Sequence, residues 1–288
     1  MRALLQPASQ LAHAAAQPLL QFASRSYVPG PRLADAMRWA ARMDRAGIAV
    51  TLGYFNADQT PPSQTTLENC GAIEALARLR HPGYLSVKPP ALAYAGEALL
   101  AIAVGAKQHG QWLHFDSHGP QTADPTIQAL EALREHHSRL SLTVPGRWTR
   151  SPADAEWALS RGIRVRVVKG QWSCPEQPEA DPAAGFLSVI DRLAGKAPEV
   201  AVATHDIPLA REALTRLLRA GTACELELLC GLPRRDAVAM ARELGVPVRL
   251  YIPFGEAWIP YALGQLRRHP RMIAWVIRDT LKALVRAA

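Results

Sequence analysis

The sequence predicts an α/β fold, a parallel (β/α)8 barrel of the TIM type. Eight short apolar runs rich in β-branched residues recur along the chain, and amphipathic segments separate them. Strands that alternate with helices favour a parallel sheet, and eight repeats with short connections favour a sheet that closes on itself. The length of 288 residues, of which 49% are hydrophobic, suits one domain with a single large core.

The eight predicted strands are the apolar runs themselves. They cover residues 48–52, 84–88, 112–116, 140–144, 164–168, 200–204, 223–229 and 248–253. Between them, apolar periodicity and recognisable ends predict helices at 64–80, 124–137, 151–161, 206–220 and 234–244. Residues 1–46 are predicted to form an N-terminal helical extension. Residues 47–288 form the predicted barrel, with a last outer helix at 272–288, and the chain is expected to be one domain overall.

Several helix ends carry specific signals. Ser151 is the predicted N-cap of its helix, because Pro152 follows at the first helical position and Asp154 lies in the first turn. Gly221 and Gly245 each follow a helix where a left-handed C-cap is expected. A doubly wound sheet is the alternative architecture, but no GxGxxG follows the first strand and no GxxxxGK[ST] occurs in the chain.

Composition excludes several classes of function. The net charge of +8 comes from arginines scattered among acids, without an aromatic-basic stripe or a helix-turn-helix pattern, so no nucleic-acid partner is expected. The four cysteines form no CxxC pair, which argues against a disulfide framework or a structural zinc site. No stretch approaches the ~20 apolar residues that a membrane span needs. The sequence therefore predicts a cytoplasmic protein with at most peripheral membrane contact.

Chemistry in such a barrel is expected at the carboxyl ends of the strands. The polar residues there are Lys88, Asp116, Arg166, Lys169, Thr204, His205, Asp206, Glu225, Glu227 and Tyr251. Each alone has a structural explanation, such as a Lys88–Asp116 ion pair or an Asp206 helix cap. Together, the cations on one rim predict an anionic or electron-accepting ligand, for which a flavin ring and its pyrophosphate are suited.

A metal site is the competing interpretation of these strand ends. His114, Asp116 and His118 alternate along the third strand and share one face, which is compatible with a metal-assisted hydrolase. Glu225 and Glu227 also share a face but differ in depth along their strand, so a glycosidase pair cannot be inferred from them.

The strand-end motifs together resemble one known family. They are Leu85-Ser-Val-Lys88, Phe115-Asp116, Val165-Arg-Val-Val-Lys-Gly170, Ala203-Thr-His205, Glu225-Leu-Glu-Leu-Leu229 and Arg249-Leu-Tyr-Ile-Pro-Phe-Gly255. In this order and spacing, between about residues 27 and 271, the chain resembles the proline dehydrogenase family. Its members are FAD-dependent (β/α)8 oxidoreductases of proline metabolism that convert proline to Δ1-pyrroline-5-carboxylate.

The resemblance implies a role for each matching residue. The implied flavin contacts are Arg166 near N5, Lys169, Gly170, Gln171, Trp172, Thr204, His205 and Glu227. Lys88 paired with Asp116 would lie beside the substrate, and Tyr251 would pack against the substrate ring. The implied substrate pocket also contains Leu229, Tyr261, Gly264 and Gln265. The implied reaction is hydride transfer to flavin N5 from the carbon next to an amine nitrogen, followed by reoxidation by a quinone or another acceptor.

The chain departs from the family where the substrate carboxylate is held. The family carries Tyr-x-x-Arg-Arg-Leu after the eighth strand, whereas this chain has Gly264 and Gln265 in place of the two arginines. The glutamate that pairs with one of them is Ala57 here, and a flavin-facing glutamine is Pro145. Since both halves of an ion pair are missing together, we expect a rebuilt pocket and weak turnover of free proline. A catalytically degenerate barrel that binds flavin or a partner is the alternative.

Overall fold

The computed structural model describes residues 29–258, in which eight parallel strands form a closed barrel in the order β1 to β8. The strands are β1 Ala49–Tyr54, β2 Tyr84–Val87, β3 Trp112–Phe115, β4 Leu140–Pro145, β5 Arg164–Val168, β6 Val200–Ala203, β7 Cys224–Leu229 and β8 Val248–Phe254. Each begins and ends within two residues of its predicted limits. The predicted fold class is confirmed.

Helices surround the barrel. They are α1 Leu33–Arg45, α2 Pro62–Leu76, α3 Gly96–Gln108, α4 Ala123–Leu133, α5 Ser151–Ser160, α6 Pro182–Leu193, α7 Ile207–Arg219 and α8 Arg235–Glu243. Five match predicted helices, whereas α3 and α6 had no recognised ends in the sequence. The first of the eight, α1, is the described part of the predicted extension; the predicted helix 272–288 lies outside the described residues. Within 29–258, no helix is both long and apolar enough to cross a membrane.

The helix ends confirm most of the capping signals. Asp206 caps α7, since its carboxylate accepts a hydrogen bond from the Leu209 backbone N–H at 3.2 Å. Gly221 and Gly245 have φ values of +70° and +69°, as a left-handed C-cap requires. The N-cap prediction for Ser151 is wrong. Its hydroxyl donates to the Pro145 carbonyl from inside the first turn of α5, and Arg150 occupies the N-cap position.

The barrel has an apolar outer layer and a polar interior. Alternation along each strand produces this division: Val165 and Val167 belong to the apolar core, whereas Arg164 and Arg166 reach other strands across the interior. The interior residues are Thr51, Tyr84, Ser86, His114, Ser141, Thr143, Arg164, Arg166, Glu225, Glu227, Arg249 and Tyr251. Barrels of this type are usually filled by branched apolar side chains, so this interior is unusually polar.

Polar residues fill the barrel in two clusters at different depths. The lower cluster, Tyr84, Arg164, Glu225 and Arg249, lies toward the amino ends of the strands. Both arginines bind Glu225, and the Arg249 guanidinium lies 3.5 Å from the Tyr84 ring centroid. The predicted difference in depth between Glu225 and Glu227 is confirmed, because Glu227 belongs to a separate cluster nearer the carboxyl ends of the strands.

Candidate active site

The upper cluster, Asp116, Thr143, Arg166 and Glu227, is organised around one buried guanidinium. The side chain of Arg166 is only 6% exposed and forms ion pairs with Asp116 and, at 3.1 Å, with Glu227. Its Nε donates to Thr143 Oγ1 at 3.2 Å. Thr51 donates to the same Glu227 oxygen at 2.9 Å. Two carboxylates thus supply counter-charges to Arg166, one of the predicted cations, inside the barrel.

Asp116 is held ionised by its neighbours. Ser86 donates to one carboxylate oxygen, and Thr143 and Arg166 donate to the other. Burial opposes ionisation, but the Arg166 charge and then His114 and Lys88 hold the pKa of Asp116 well below its ordinary value. The predicted Lys88–Asp116 ion pair is wrong, since Asp116 pairs with Arg166 instead.

Lys88 lies at the mouth of the barrel with neutral partners. Its Nζ donates to the Tyr54 carbonyl at 3.0 Å and to the Tyr251 hydroxyl at 3.3 Å, and lies 4.2 Å from the Phe55 ring centroid. Burial, followed by the nearby Arg166 charge, lowers the pKa of Lys88 to about 8, although Asp116 acts in the opposite direction. A pKa near 8 would suit Lys88 to acid-base chemistry close to neutral pH.

His114 is a neutral member of the interior network. The single hydroxyl proton of Thr143 goes to the Asp116 carboxylate, so the His114 Nε2, 2.6 Å from Thr143 Oγ1, must donate. Its Nδ1 then accepts from Ser141 at 2.8 Å. Burial and the Arg166 charge lower the pKa of His114 to about 4. Both ring nitrogens are occupied, and residues 29–258 contain no group of three acidic, His or Cys side chains arranged for a metal.

Because His114 is buried and neutral, the free energy of unfolding should decrease when the pH is lowered. Between pH 6.5 and 4 the unfolded chain protonates His114 while the folded chain does not, so stability falls as the pH falls. We expect His114→Gln to remove about 2 kcal/mol of the stability loss between pH 7 and pH 5. Urea unfolding at both pH values measures it, with the exposed His136→Gln as control. Equal losses in wild type and His114→Gln would contradict the neutral assignment.

His205 is a structural link between two strand ends. Its Nδ1 lies 2.9 Å from the Pro233 carbonyl, and its Nε2 accepts from the Leu229 backbone N–H at 2.8 Å. Burial lowers the pKa of His205, followed by the charge of Arg234, although the bond to Pro233 raises it. The imidazole is therefore neutral, and His205 is not one of the cations of this rim.

The exposed part of the rim follows β5. Lys169 pairs with Asp206 at 2.7 Å, and both side chains are 39% exposed. Gly170 adopts φ +93°, and a Cβ there would lie 2.9 Å from the Pro145 and Arg147 side chains. Gln171 follows, and its carbonyl accepts a hydrogen bond from Arg147 at 3.2 Å.

An aromatic platform continues this rim. Trp172 is 42% exposed and stacks on His118 with 6.0 Å between ring centroids. Thr204, at the end of the next strand, accepts from the Asp206 backbone N–H at 3.1 Å. The segment after β5 therefore carries both an exposed ion pair and an exposed aromatic ring.

Some site residues were predicted and others were missed. Residues Tyr261, Gly264 and Gln265 of the predicted pocket lie outside the described residues. Thr51, Ser86 and Thr143 were missed, although polar residues at alternate positions of six strands were the signal for a polar interior.

Known proteins similar to this chain were identified by sequence and by fold. No family model matches the chain. Proline dehydrogenase 1 of Bacillus subtilis subsp. natto is 23% identical over 277 residues, which cover 90% of this chain and 91% of that protein. Proline dehydrogenase of Deinococcus radiodurans is 24% identical over 297 residues, with 95% and 94% covered.

Solved structures share the barrel. Proline utilization A from Bdellovibrio bacteriovorus, inactivated by N-propargylglycine, superposes with a TM-score of 0.74 at 13% identity, over 85% of this chain. A variant of proline utilization A from Bradyrhizobium japonicum gives 0.67 at 16% identity over 88% of this chain. This chain spans about a third of each of those proteins, 32% and 31%. Over nine-tenths of its length, the chain is thus similar in sequence to curated proline dehydrogenases, and it shares its barrel with proline utilization A.

Proposed function

We propose that this protein is an FAD-dependent oxidoreductase that removes hydride from the carbon next to the amine nitrogen of proline or a proline-like substrate. The observation that carries the proposal is the position of Lys88, a half-buried amine at the barrel mouth whose Nζ donates to the Tyr54 carbonyl and the Tyr251 hydroxyl. Through Tyr251 and Ser86 it is linked by hydrogen bonds to Asp116, the ion-pair partner of Arg166. The names of the curated relatives, proline dehydrogenases, agree with this chemistry.

The residues present fit a flavin. Arg166 has five N–H donors, of which Thr143, Glu227 and Asp116 take three, so it can still donate to a ring nitrogen. Trp172 offers an exposed aromatic surface, and Lys169 can leave Asp206 for a phosphate because exposed ion pairs are weak. FAD, when bound, would accept hydride at N5 and so supply the two-electron oxidation.

On the substrate side, Lys88 would act as proton acceptor. A secondary amine enters as its ammonium, and neutral Lys88 takes one proton from that nitrogen. The adjacent C–H bond can then break with its electron pair leaving as hydride, while the nitrogen lone pair forms the C=N bond of the product. Activity is expected to rise with pH through about 8, as Lys88 loses its own proton.

The carboxylate side of the substrate is proposed to differ from that of proline. Ala57, Gly264 and Gln265 stand where the family holds a carboxylate with a glutamate and two arginines. Each charge-assisted hydrogen bond contributes roughly 1.5 to 3 kcal/mol, so their loss disfavours free proline by orders of magnitude. A proline-like amine with a masked, absent or differently held carboxylate suits this pocket better. A quinone or another acceptor would reoxidise the cofactor.

Removing the exposed cation of the rim tests the cofactor proposal. We expect Lys169→Ala to weaken FAD binding roughly tenfold to a hundredfold, because a charge-assisted phosphate contact is lost. The fold should keep its stability, since the Lys169–Asp206 pair is exposed. Equilibrium dialysis with FAD measures the affinity, and Lys196→Ala, an exposed lysine before β6, is the matched control. Equal affinity in both variants would remove Lys169 from the flavin site.

A further inference from the structure

The phenol of Tyr251 occupies space that only a glycine provides. A Cβ on Gly53 of β1 would lie 1.9 Å from the Tyr251 Oη and 2.5 Å from its Cζ. The glycine is not in the left-handed region of φ, so the backbone conformation does not require it. Gly53 is therefore needed to make room for the Tyr251 ring.

The hydroxyl of Tyr251 is part of a chain of hydrogen bonds with one direction. Tyr251 donates to Ser86 Oγ at 3.2 Å, and Ser86 donates to the Asp116 carboxylate. An ionised carboxylate only accepts, so Asp116 fixes the Ser86 proton, and Ser86 in turn fixes the Tyr251 proton. The phenol oxygen then presents lone pairs, and Lys88 donates to it at 3.3 Å.

Gly53 and Ser86 lie side by side. They are register partners on the neighbouring strands β1 and β2. One provides space for the phenol and the other accepts its proton. With both N–H bonds of neutral Lys88 directed to Tyr54 and Tyr251, the nitrogen lone pair is left to face away from these two acceptors.

We propose that Gly53 and Ser86 are positioning residues of the amine oxidation. They hold the Tyr251 hydroxyl as a hydrogen-bond acceptor for Lys88 and thereby set the proton affinity of the Lys88 amine and the direction of its lone pair. The proposal rests on the proposed function for its catalytic meaning. Its physical content, the protonation of Lys88, can be measured without cofactor or substrate.

Without Ser86 the phenol proton is free to rotate. It can then donate to the neutral amine of Lys88, which favours that form over the ammonium. Ser86→Ala should therefore make Lys88 neutral at lower pH. Gly53→Ala should act in the same direction, because it pushes the phenol away and the ammonium loses an acceptor. Ser86→Thr keeps the hydroxyl and should restore the original behaviour.

Competitive labelling of the full chain with acetic anhydride across pH, read by mass spectrometry, tests this. The exposed Lys107 serves as internal standard. In the wild-type protein we expect the Lys88 midpoint near pH 8. In Ser86→Ala and Gly53→Ala, Lys88 should acetylate about threefold to tenfold faster at pH 7, the range expected for one hydrogen bond.

Two control variants match the substitutions. Ser141→Ala removes another buried barrel hydroxyl, one that binds His114, and Gly105→Ala adds a methyl group in α3, where its nearest neighbour would be 3.9 Å away. Both should leave the labelling of Lys88 unchanged. An unchanged or slower Lys88 reaction in folded Ser86→Ala and Gly53→Ala would overturn the proposal, and if one variant fails to fold, the other decides.

Flavin binding is measured separately on the same preparations. A protein without flavin whose Lys88 shifts as expected would refute the oxidoreductase and retain the positioning chain. A flavin-loaded, active protein in which the labelling of Lys88 is the same in all variants would retain the oxidoreductase and refute the positioning role of Gly53 and Ser86. In the active enzyme, the pH at which amine-dependent flavin bleaching is half-maximal should move down in Ser86→Ala and return in Ser86→Thr.

Discussion

Replacing Lys88 by methionine is expected to abolish amine oxidation while the flavin stays bound. Methionine keeps most of the side-chain volume but has no proton to exchange. Loss of a positioned acid-base group typically costs about 10²- to 10⁴-fold in rate. Anaerobic stopped-flow bleaching of the flavin by a secondary amine measures the step directly, before any electron acceptor is involved.

The matched control is Lys107→Met, which changes an exposed lysine of α3 in the same way. It should bleach at the wild-type rate. The rate of Lys88→Met should also lose the rise with pH through about 8 that the wild-type protein is expected to show. A wild-type rate in flavin-loaded Lys88→Met would show that the substrate proton leaves by another route.

Arg166→Ala is expected to damage both the fold and the flavin site. It leaves Asp116 and Glu227 buried without their counter-charge, and breaking a buried ion pair in this way costs about 3 to 5 kcal/mol. Urea unfolding measures the stability loss, and flavin absorbance at equal protein concentration measures occupancy. We expect both to fall.

The lower cluster offers a control that separates these two effects. Arg164→Ala removes a guanidinium that is equally buried and ion-paired, but that lies deeper in the barrel with Glu225. It should lose comparable stability and keep its flavin once folded. The paired variant Arg166→Met with Glu227→Gln reduces the charge imbalance and should regain stability without regaining flavin. Flavin occupancy restored in that variant would assign Arg166 a purely structural role.

The sequence predicted the strands and several residues of the site, but not the interactions inside the polar barrel. The strands were predictable because their apolar outer faces repeat with period two, and the rule for strand ends selected Lys88, Lys169 and Tyr251. The sequence did not show which charged side chains form ion pairs. Arg166 meets Asp116 and Glu227 across 50 and 61 residues of chain, and only the register and closure of the barrel bring them together.

The protonation state of His205 also could not be predicted from the sequence. Its motif suggests a catalytic or ligand-binding imidazole, yet burial lowers its pKa, and two backbone groups, the Pro233 carbonyl and the Leu229 N–H, occupy its ring nitrogens. Neither partner has a side-chain signature. The role of Gly53 could not be predicted from the sequence either. It follows from the position of the Tyr251 ring and not from the backbone conformation of Gly53.

We expect this barrel to oxidise a proline-like amine with a bound flavin. The most direct test is the visible absorption spectrum of the purified protein, supplied with FAD, before and after anaerobic addition of L-proline and then of proline esters or pyrrolidine. We predict flavin bands that bleach with the carboxyl-modified amines and only weakly with free proline. A protein that cannot be loaded with FAD, or whose flavin bleaches with none of these amines, would contradict the account.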